Sequence, residues 1–365
     1  MKLLRSFLLF SAIIMTGTSF AQSAYQEWPG KIHLIDSVQC TSVKDQGQSP
    51  TCWVFGTNSL FESDMIKKYH LQLNLSEMFI ARYAYIDKAI TWLASGGKTY
   101  FEGGGQFHDV IRVVEHYGMV PEEAYTGRPY GNYSHNHAGL DTAMKRYLQS
   151  VLDKGISKLS DIEVANINDT LDKYLGKVPE RFWFDNKEYS ARSFAKELIH
   201  FGDDYAELVS FADQPLYKKF ILKDKYNWAL DSFQNLELDD MLMVVDTALA
   251  RGWSVGWEGD VTEKEFNFYA GFAAFPDSQH HYDQERLDNY KDESTERDHM
   301  LQIVGVGRDA NNKKWYYLKN SWGKYFSKFD GYIYMDENYF RLKTVILFVN
   351  KEGLPVSIRS NLHMN

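Results

Sequence analysis

The sequence predicts an α+β chain with helices first and strands last. Three observations carry this. A helix-start signature at Ser49-Pro50 precedes apolar residues at helical spacing, Val54, Phe61 and Met65. A charge-rich block from 130 to about 250 keeps helical periodicity, and from Trp253 onward the chain turns to short β-branched and aromatic runs separated by turn signals. The chain has 365 residues, 44% hydrophobic and 24% charged, long enough for two domains or one domain with a large insertion.

Residues 1–21 read as an export signal rather than as part of the fold. Lys2 and Arg5 make a basic start, Phe7 to Met15 an apolar run, and Ser19-Phe20-Ala21 a small-x-small cleavage pattern. The apolar run is shorter than the ~20 residues a membrane span needs, and no later stretch is long enough. The expectation is an exported protein, periplasmic or secreted, starting at Gln22 and without a stable membrane anchor. Losing Lys2 and Arg5 takes the formal charge from −9 to −11. Such acidity argues against nucleic-acid binding, which depends on neutralising phosphates.

The stretch Gln46-Gly-Gln-Ser-Pro-Thr-Cys52-Trp-Val-Phe opens the first helix, expected over about 51–69. Ser49 suits the N-cap and Pro50 the first helical position. Cys52 then sits where the helix dipole and free N–H groups favour thiolate over thiol. A buried core thiol and a disulfide to Cys40, the only other cysteine, are the competing readings.

Ser76 caps a second helix running to about Trp92, and a glycine-rich loop, Gly103-Gly104-Gly105, leads into a third, Asp109 to Gly118. No Lys-Ser/Thr follows the glycines as in a phosphate loop, so they mark a tight bend or a close approach by a neighbouring segment or a ligand. Helices are expected over 138–153, 191–200, 214–231 and 238–251. Strands follow at 254–257, 300–306, 315–319, 331–335 and 344–349, in a mostly antiparallel sheet or small barrel. His280 and His281, in the polar segment 277–298, lack a second ligand pair at metal-like spacing, so a surface loop is expected and no metal or other cofactor.

Cysteine catalysis needs a nucleophile, a base, a group orienting the base, and donors for an oxyanion. Cys52 supplies the first. His299 opens one strand, and Asn320 ends the next, which sets its amide beside His299 if the strands pair. Gln46 lies six residues before Cys52, close enough for its amide to face the same carbonyl oxygen. Singly, each has a structural explanation; together those explanations become improbable.

In order, Gln-Gly-x-x-x-x-Cys-Trp-x-Phe, a Gly-Gly loop, Asp-His-x-x-x-x-x-Gly and Lys-Asn-Ser-Trp-Gly resemble the papain-like cysteine peptidases over roughly 41–127 and 250–350. The short lead to Cys52, the large middle insertion, the missing disulfide cysteines and the Val345-to-Pro355 ending are more similar to the bleomycin hydrolase and aminopeptidase C branch. That resemblance implies a helical domain (22–129) and a β-domain (251–365) with a cleft between them, interrupted by a mainly helical insertion (130–250). It implies that Cys52 attacks the scissile carbonyl of a peptide substrate, with its pKa lowered to ~3–4 by an ion pair with His299. Asn320 would orient His299, Trp322 would shield that bond, Gln46 would line the oxyanion hole, and Gly104 and Gly105 would hold the substrate backbone.

The same branch assembles as homo-oligomers and places its C-terminus in the cleft, which makes its members aminopeptidases. Here ten residues follow Pro355, with a reach of ~33–36 Å when extended. A tail directed away from the cleft would instead imply an endopeptidase. A decayed, peptide-binding scaffold is the non-enzymatic alternative. Cys-His-Asp acyltransferases share the chemistry, but Asn320-Ser-Trp argues against them.

Overall fold

The computed structural model describes residues 30–131, 133–199 and 204–364, so the predicted signal at 1–21 lies outside the described residues. Strand β1 (His33–Ser37) precedes helices α1 (Cys52–Tyr69), α2 (Glu77–Ala94) and α3 (Phe107–Tyr117). Then come α4 (Leu140–Leu152), α5 (Asp161–Leu175), a hairpin β2 (Phe182–Phe184) and β3 (Lys187–Tyr189), and α6 (Ala191–Leu198). Strands β4 (Tyr205–Val209), β5 (Lys219–Ile221) and β6 (Ser232–Asn235) lead to α7 (Leu238–Ala250). The remainder is β7 (Val255–Gly259), β8 (Phe266–Asn267), β9 (Phe272–Ala273), α8 (Tyr282–Lys291), β10 (His299–Arg308), β11 (Lys314–Lys319), β12 (Tyr332–Asp336), α9 (Glu337–Lys343), β13 (Thr344–Asn350) and α10 (Val356–Asn361).

One large sheet organises the molecule, in the order β5-β6-β4-β13-β7-β10-β11-β12-β9-β8, with β1 also pairing with β10. It is mostly antiparallel, as expected, with parallel pairings at β4–β6 and β9–β12. Its central strands are covered on both faces. On one side α1 and α3 bring Phe61 and Phe107 into a core with Met300 and Phe348 of the sheet. On the other, α7 packs Met241, Val245 and Leu249 against Trp257, Leu301 and Leu347. This explains the near-continuous burial of β10 and β13, which carry no polar face.

Two expectations need correction. The segment 214–231 contains β5 and a loop rather than a helix, and between α6 and α7 the block 130–250 carries the strands β4, β5 and β6. Its β4 pairs with β13 from Tyr205↔Asn350 to Val209↔Ile346, so part of the supposed insertion extends the main sheet. Partners about 140 residues apart leave no local signature. In addition, the polar segment 277–298 holds α8, whose single buried side chain, Arg286, donates to the Arg341 and Ser210 carbonyls.

The C-terminal tail folds as α10 on the α7 side of the sheet. Ile358 and Leu362 are buried in that core, and Arg251 Nη1 donates to the Leu354 carbonyl at 2.7 Å. Helix α1, which begins at Cys52, lies against the opposite face. Among the described residues, no helix is long and apolar enough to cross a membrane.

Candidate active site

Cys52 is the first residue of α1, one position later than the sequence suggested. The N-cap is Thr51, not Ser49, because the Ser49 hydroxyl is committed to the Gln46 carbonyl at 2.6 Å and to the Thr51 hydroxyl at 2.6 Å. This knot of short bonds shapes the lead-in and leaves the first N–H groups of α1 without a side-chain cap. Both cysteines are free thiols, which removes the Cys40–Cys52 disulfide; the Cys40 sulfur lies 3.4 Å from the Tyr332 hydroxyl.

His299 begins β10, and Asn320 follows the last residue of β11. Their strands pair in antiparallel register, with Gln302 opposite Lys319, and this brings the two side chains together. His299 Nε2 lies 2.8 Å from Asn320 Oδ1, and both residues are buried. Because Asn320 Oδ1 also accepts the Ser321 N–H at 2.7 Å, the amide is fixed with its oxygen toward the ring, and Nε2 carries the proton. Trp322 packs on His299 at 4.6 Å between ring centroids, and Phe268 backs the indole at 4.1 Å. Gln46 is held at both ends of its amide, accepting from the Ser321 hydroxyl at 2.7 Å and donating to the Ser49 carbonyl at 2.9 Å. Its second N–H remains available.

Cys52, His299, Gln46, Trp322, Gly104 and Gly105 all line one cavity of about 280 Å³. The structure brings these expected residues to one cavity, with Asn320 bonded to His299 behind it. The glycines have a further reason to be glycines. A Cβ on Gly105 would lie 2.8 Å from the Trp53 ring, and one on Gly104 would lie 2.9 Å from Tyr226 Cε1. Trp53 itself is anchored by its indole N–H to the Gly103 carbonyl at 2.8 Å.

Burial runs against the expected ion pair. Burial pushes the Cys52 thiol up to about 12, and the nearby carboxylates of Glu258 and Asp298 push the same way. The backbone N–H groups of Met300 and Trp53 oppose this without prevailing. Burial also lowers His299 to about 4, against a smaller upward pull from Asn320. Desolvation thus works against charge on both partners, although Cys52 is only partly buried. The helix-start argument omitted this desolvation.

Sequence reasoning missed the cavity's charged wall. Glu258 on β7 sits opposite Met300 in the register, and Arg297 reaches it at 3.4 Å. Asp224, from the 222–231 loop, holds Arg297 Nη2 at 3.1 Å. Only the pairing of β7 with β10 puts Glu258 beside the segment that leads to His299. His280, by contrast, is bonded between the Ser278 hydroxyl (2.7 Å) and Glu285 (2.9 Å).

The Peptidase C1-like family model matches residues 98–365. Among curated proteins the chain is similar to aminopeptidase C of Lactobacillus helveticus, at 24% identity over 373 residues, covering 86% of this chain and 80% of that protein. It is also similar to the mitochondrial cysteine proteinase 1 of Saccharomyces cerevisiae, at 21% identity over 376 residues, covering 89% and 77%. Among solved structures, PepW from Lactobacillus rhamnosis HN001 superposes with a TM-score of 0.70 at 16% identity, over 91% of this chain and 84% of that one.

Proposed function

The chain belongs to the Peptidase C1-like family and is a papain-like cysteine peptidase, and from that premise we propose that it is an exported aminopeptidase using Cys52, His299, Asn320 and Gln46. The observation that carries this reading is the buried His299–Asn320 bond of 2.8 Å facing the cavity that Cys52 opens onto. His299 takes the Cys52 proton as the sulfur bonds to the scissile carbonyl carbon. The oxygen that becomes negative faces the Cys52 N–H at the start of α1 and the second N–H of Gln46. His299 then passes its proton to the leaving amine as the C–N bond breaks, leaving a thioester. Water, deprotonated by the same imidazole, releases the acid and restores the thiol. Asn320 and Trp322 keep the ring in the required tautomer and plane.

Desolvation working against charge on both partners suits this order of events, since charge develops only when a substrate supplies its stabilisation. Trimming from the N-terminus is supported by relatives named aminopeptidase C, that of Lactobacillus helveticus among them. Export is supported by the 1–21 pattern and is checked by N-terminal sequencing of the protein recovered outside the cytoplasm. One observation favours internal cutting instead: α10 packs against α7, away from the cleft.

The test is mass spectrometry of a mixed peptide pool incubated with the reduced protein, with Cys52→Ala as control. Ladders shortened from the N-terminus and absent from the control are expected. Internal cuts would replace the aminopeptidase reading with an endopeptidase, and Cys52-independent products would overturn the mechanism.

A further inference from the structure

With the tail on the far side of the sheet, something else must define the end of the cleft if the protein trims N-termini. The loop 222–231 occupies that position. Tyr226 lines the cavity and stands over Gly104, close enough that a Cβ there would meet its ring. It packs edge-on to Tyr100 at 5.2 Å between centroids. The loop is clamped at several points. Asn227 Nδ2 bridges the Leu222 and Asp231 carbonyls at 2.9 and 2.8 Å, and buried Trp228 donates to Asp109 at 3.0 Å. Asp224 accepts the Tyr226 N–H at 2.8 Å and holds Arg297 in the cavity wall. Glycines at 104 and 105 would otherwise offer an open backbone edge to an extended peptide, and Tyr226 shortens that edge.

Beside the loop lies an unsatisfied acceptor. Glu258 lines the cavity and is 2% exposed; its Oε1 takes Gln106 Nε2 at 3.3 Å and faces Arg297, whereas its Oε2 has no hydrogen-bond partner. A buried carboxylate oxygen without a donor is costly unless a ligand completes it. Glu102, Glu258 and Asp298 line the cavity with Arg297, whose guanidinium nitrogens also lack hydrogen-bond partners, and Lys225 lies beside Tyr226; the lining still carries more negative than positive charge. An ammonium, with three donors, would satisfy Oε2.

We propose that the 222–231 loop, rather than the C-terminal tail, limits how much of a substrate can precede the scissile bond, and that Glu258 receives the substrate's ammonium group at that end. The proposal rests on the aminopeptidase reading and names the residues that would enforce it. A free α-amino group and a lysine side chain present the same chemistry, so the test must separate them.

The experiment compares kcat/KM for alanyl-, N-acetylalanyl- and N-acetyllysyl-aminomethylcoumarin in wild type, Glu258→Gln and Tyr226→Ala, with rates normalised to iodoacetamide-reactive Cys52. Wild type is expected to prefer the free amine at least tenfold. Glu258→Gln should erase most of that preference by raising KM for the free-amine substrate. Tyr226→Ala, which leaves the charged wall in place, should raise acetylated-substrate cleavage several-fold. Efficient wild-type cleavage of the acetyllysyl compound, lost in Glu258→Gln, would assign Glu258 to a basic side chain and overturn the α-amino assignment. An unchanged preference in both variants, with N-terminal trimming intact, would overturn the proposal while leaving the aminopeptidase reading in place. A wild type that prefers acetylated substrates would overturn both.

Discussion

Replacing Asn320 by Ala tests the heart of the site. The substitution removes the acceptor of the 2.8 Å bond from His299 Nε2, in a place closed to water by Trp322 and Phe268. During turnover His299 is an imidazolium, and a hydrogen bond to a charged group is worth roughly 1.5–3 kcal/mol. With about 1.4 kcal/mol per tenfold in rate, kcat/KM should fall roughly 10- to 150-fold. The variant also strands the Ser321 N–H, which now donates to Asn320 Oδ1 at 2.7 Å, so a modest drop in Tm is expected alongside. The pH profile separates positioning from mere loss of fold. Asn320 pulls the His299 pKa up against burial, so without it that pKa drops further. His299 must be neutral to take the thiol proton, and the acidic limb of kcat/KM should therefore move to lower pH. Initial rates on a fluorogenic substrate across pH, corrected for alkylatable Cys52, measure both effects. A loss below threefold with an unmoved acidic limb would refute the reasoning.

Two further substitutions probe the buried charge around α1. Lys44 Nζ bonds Glu62 at 2.9 Å and Glu77 at 2.6 Å, with both carboxylates essentially closed to solvent. Lys44→Met strands them and should cost about 3–5 kcal/mol, read as a Tm drop that is smaller at acid pH, where the carboxylates take up protons. Asp64, bonded to the Tyr205 hydroxyl at 2.9 Å, is pushed up to about 8 by burial, well above the ~3.9 of an unfolded aspartate. Its contribution is present at low pH and lost as pH rises toward 8; Asp64→Asn should flatten the fall in Tm between about pH 4 and pH 8, and an unchanged slope would show that Asp64 ionises normally.

Much of the site was legible because each piece has a local signature. Cys52 follows a Ser-Pro-Thr lead-in, and His299 and Asn320 bound strands joined by a turn at Asp309 to Asn312, so pairing those strands suffices to bring base and orienter together. Ser76 capped α2 as expected, accepting the Phe79 N–H at 3.2 Å. The N-cap of α1 was misplaced because the Ser49 hydroxyl donates to the Gln46 carbonyl and bonds the Thr51 hydroxyl rather than accepting a helix N–H. The region 214–231 read as helix because its charge spacing mimics an exposed helical face, although β5 and the loop are held by sheet pairing and by Asp109, Arg112 and Arg297.

By itself the sequence determined the helices around Cys52, the strand-rich C-terminal part and the candidate Cys-His-Asn-Gln residues, since periodicity, capping and turn chemistry act over a few residues. Only the tertiary structure shows how far burial works against charge on Cys52 and His299, because desolvation depends on everything packed around them. It also decided which segment ends the cleft. The docking of α10 on α7 and the clamping of Tyr226 over Gly104 are long-range packing choices, made by burying apolar surface and pairing charges far apart in the chain.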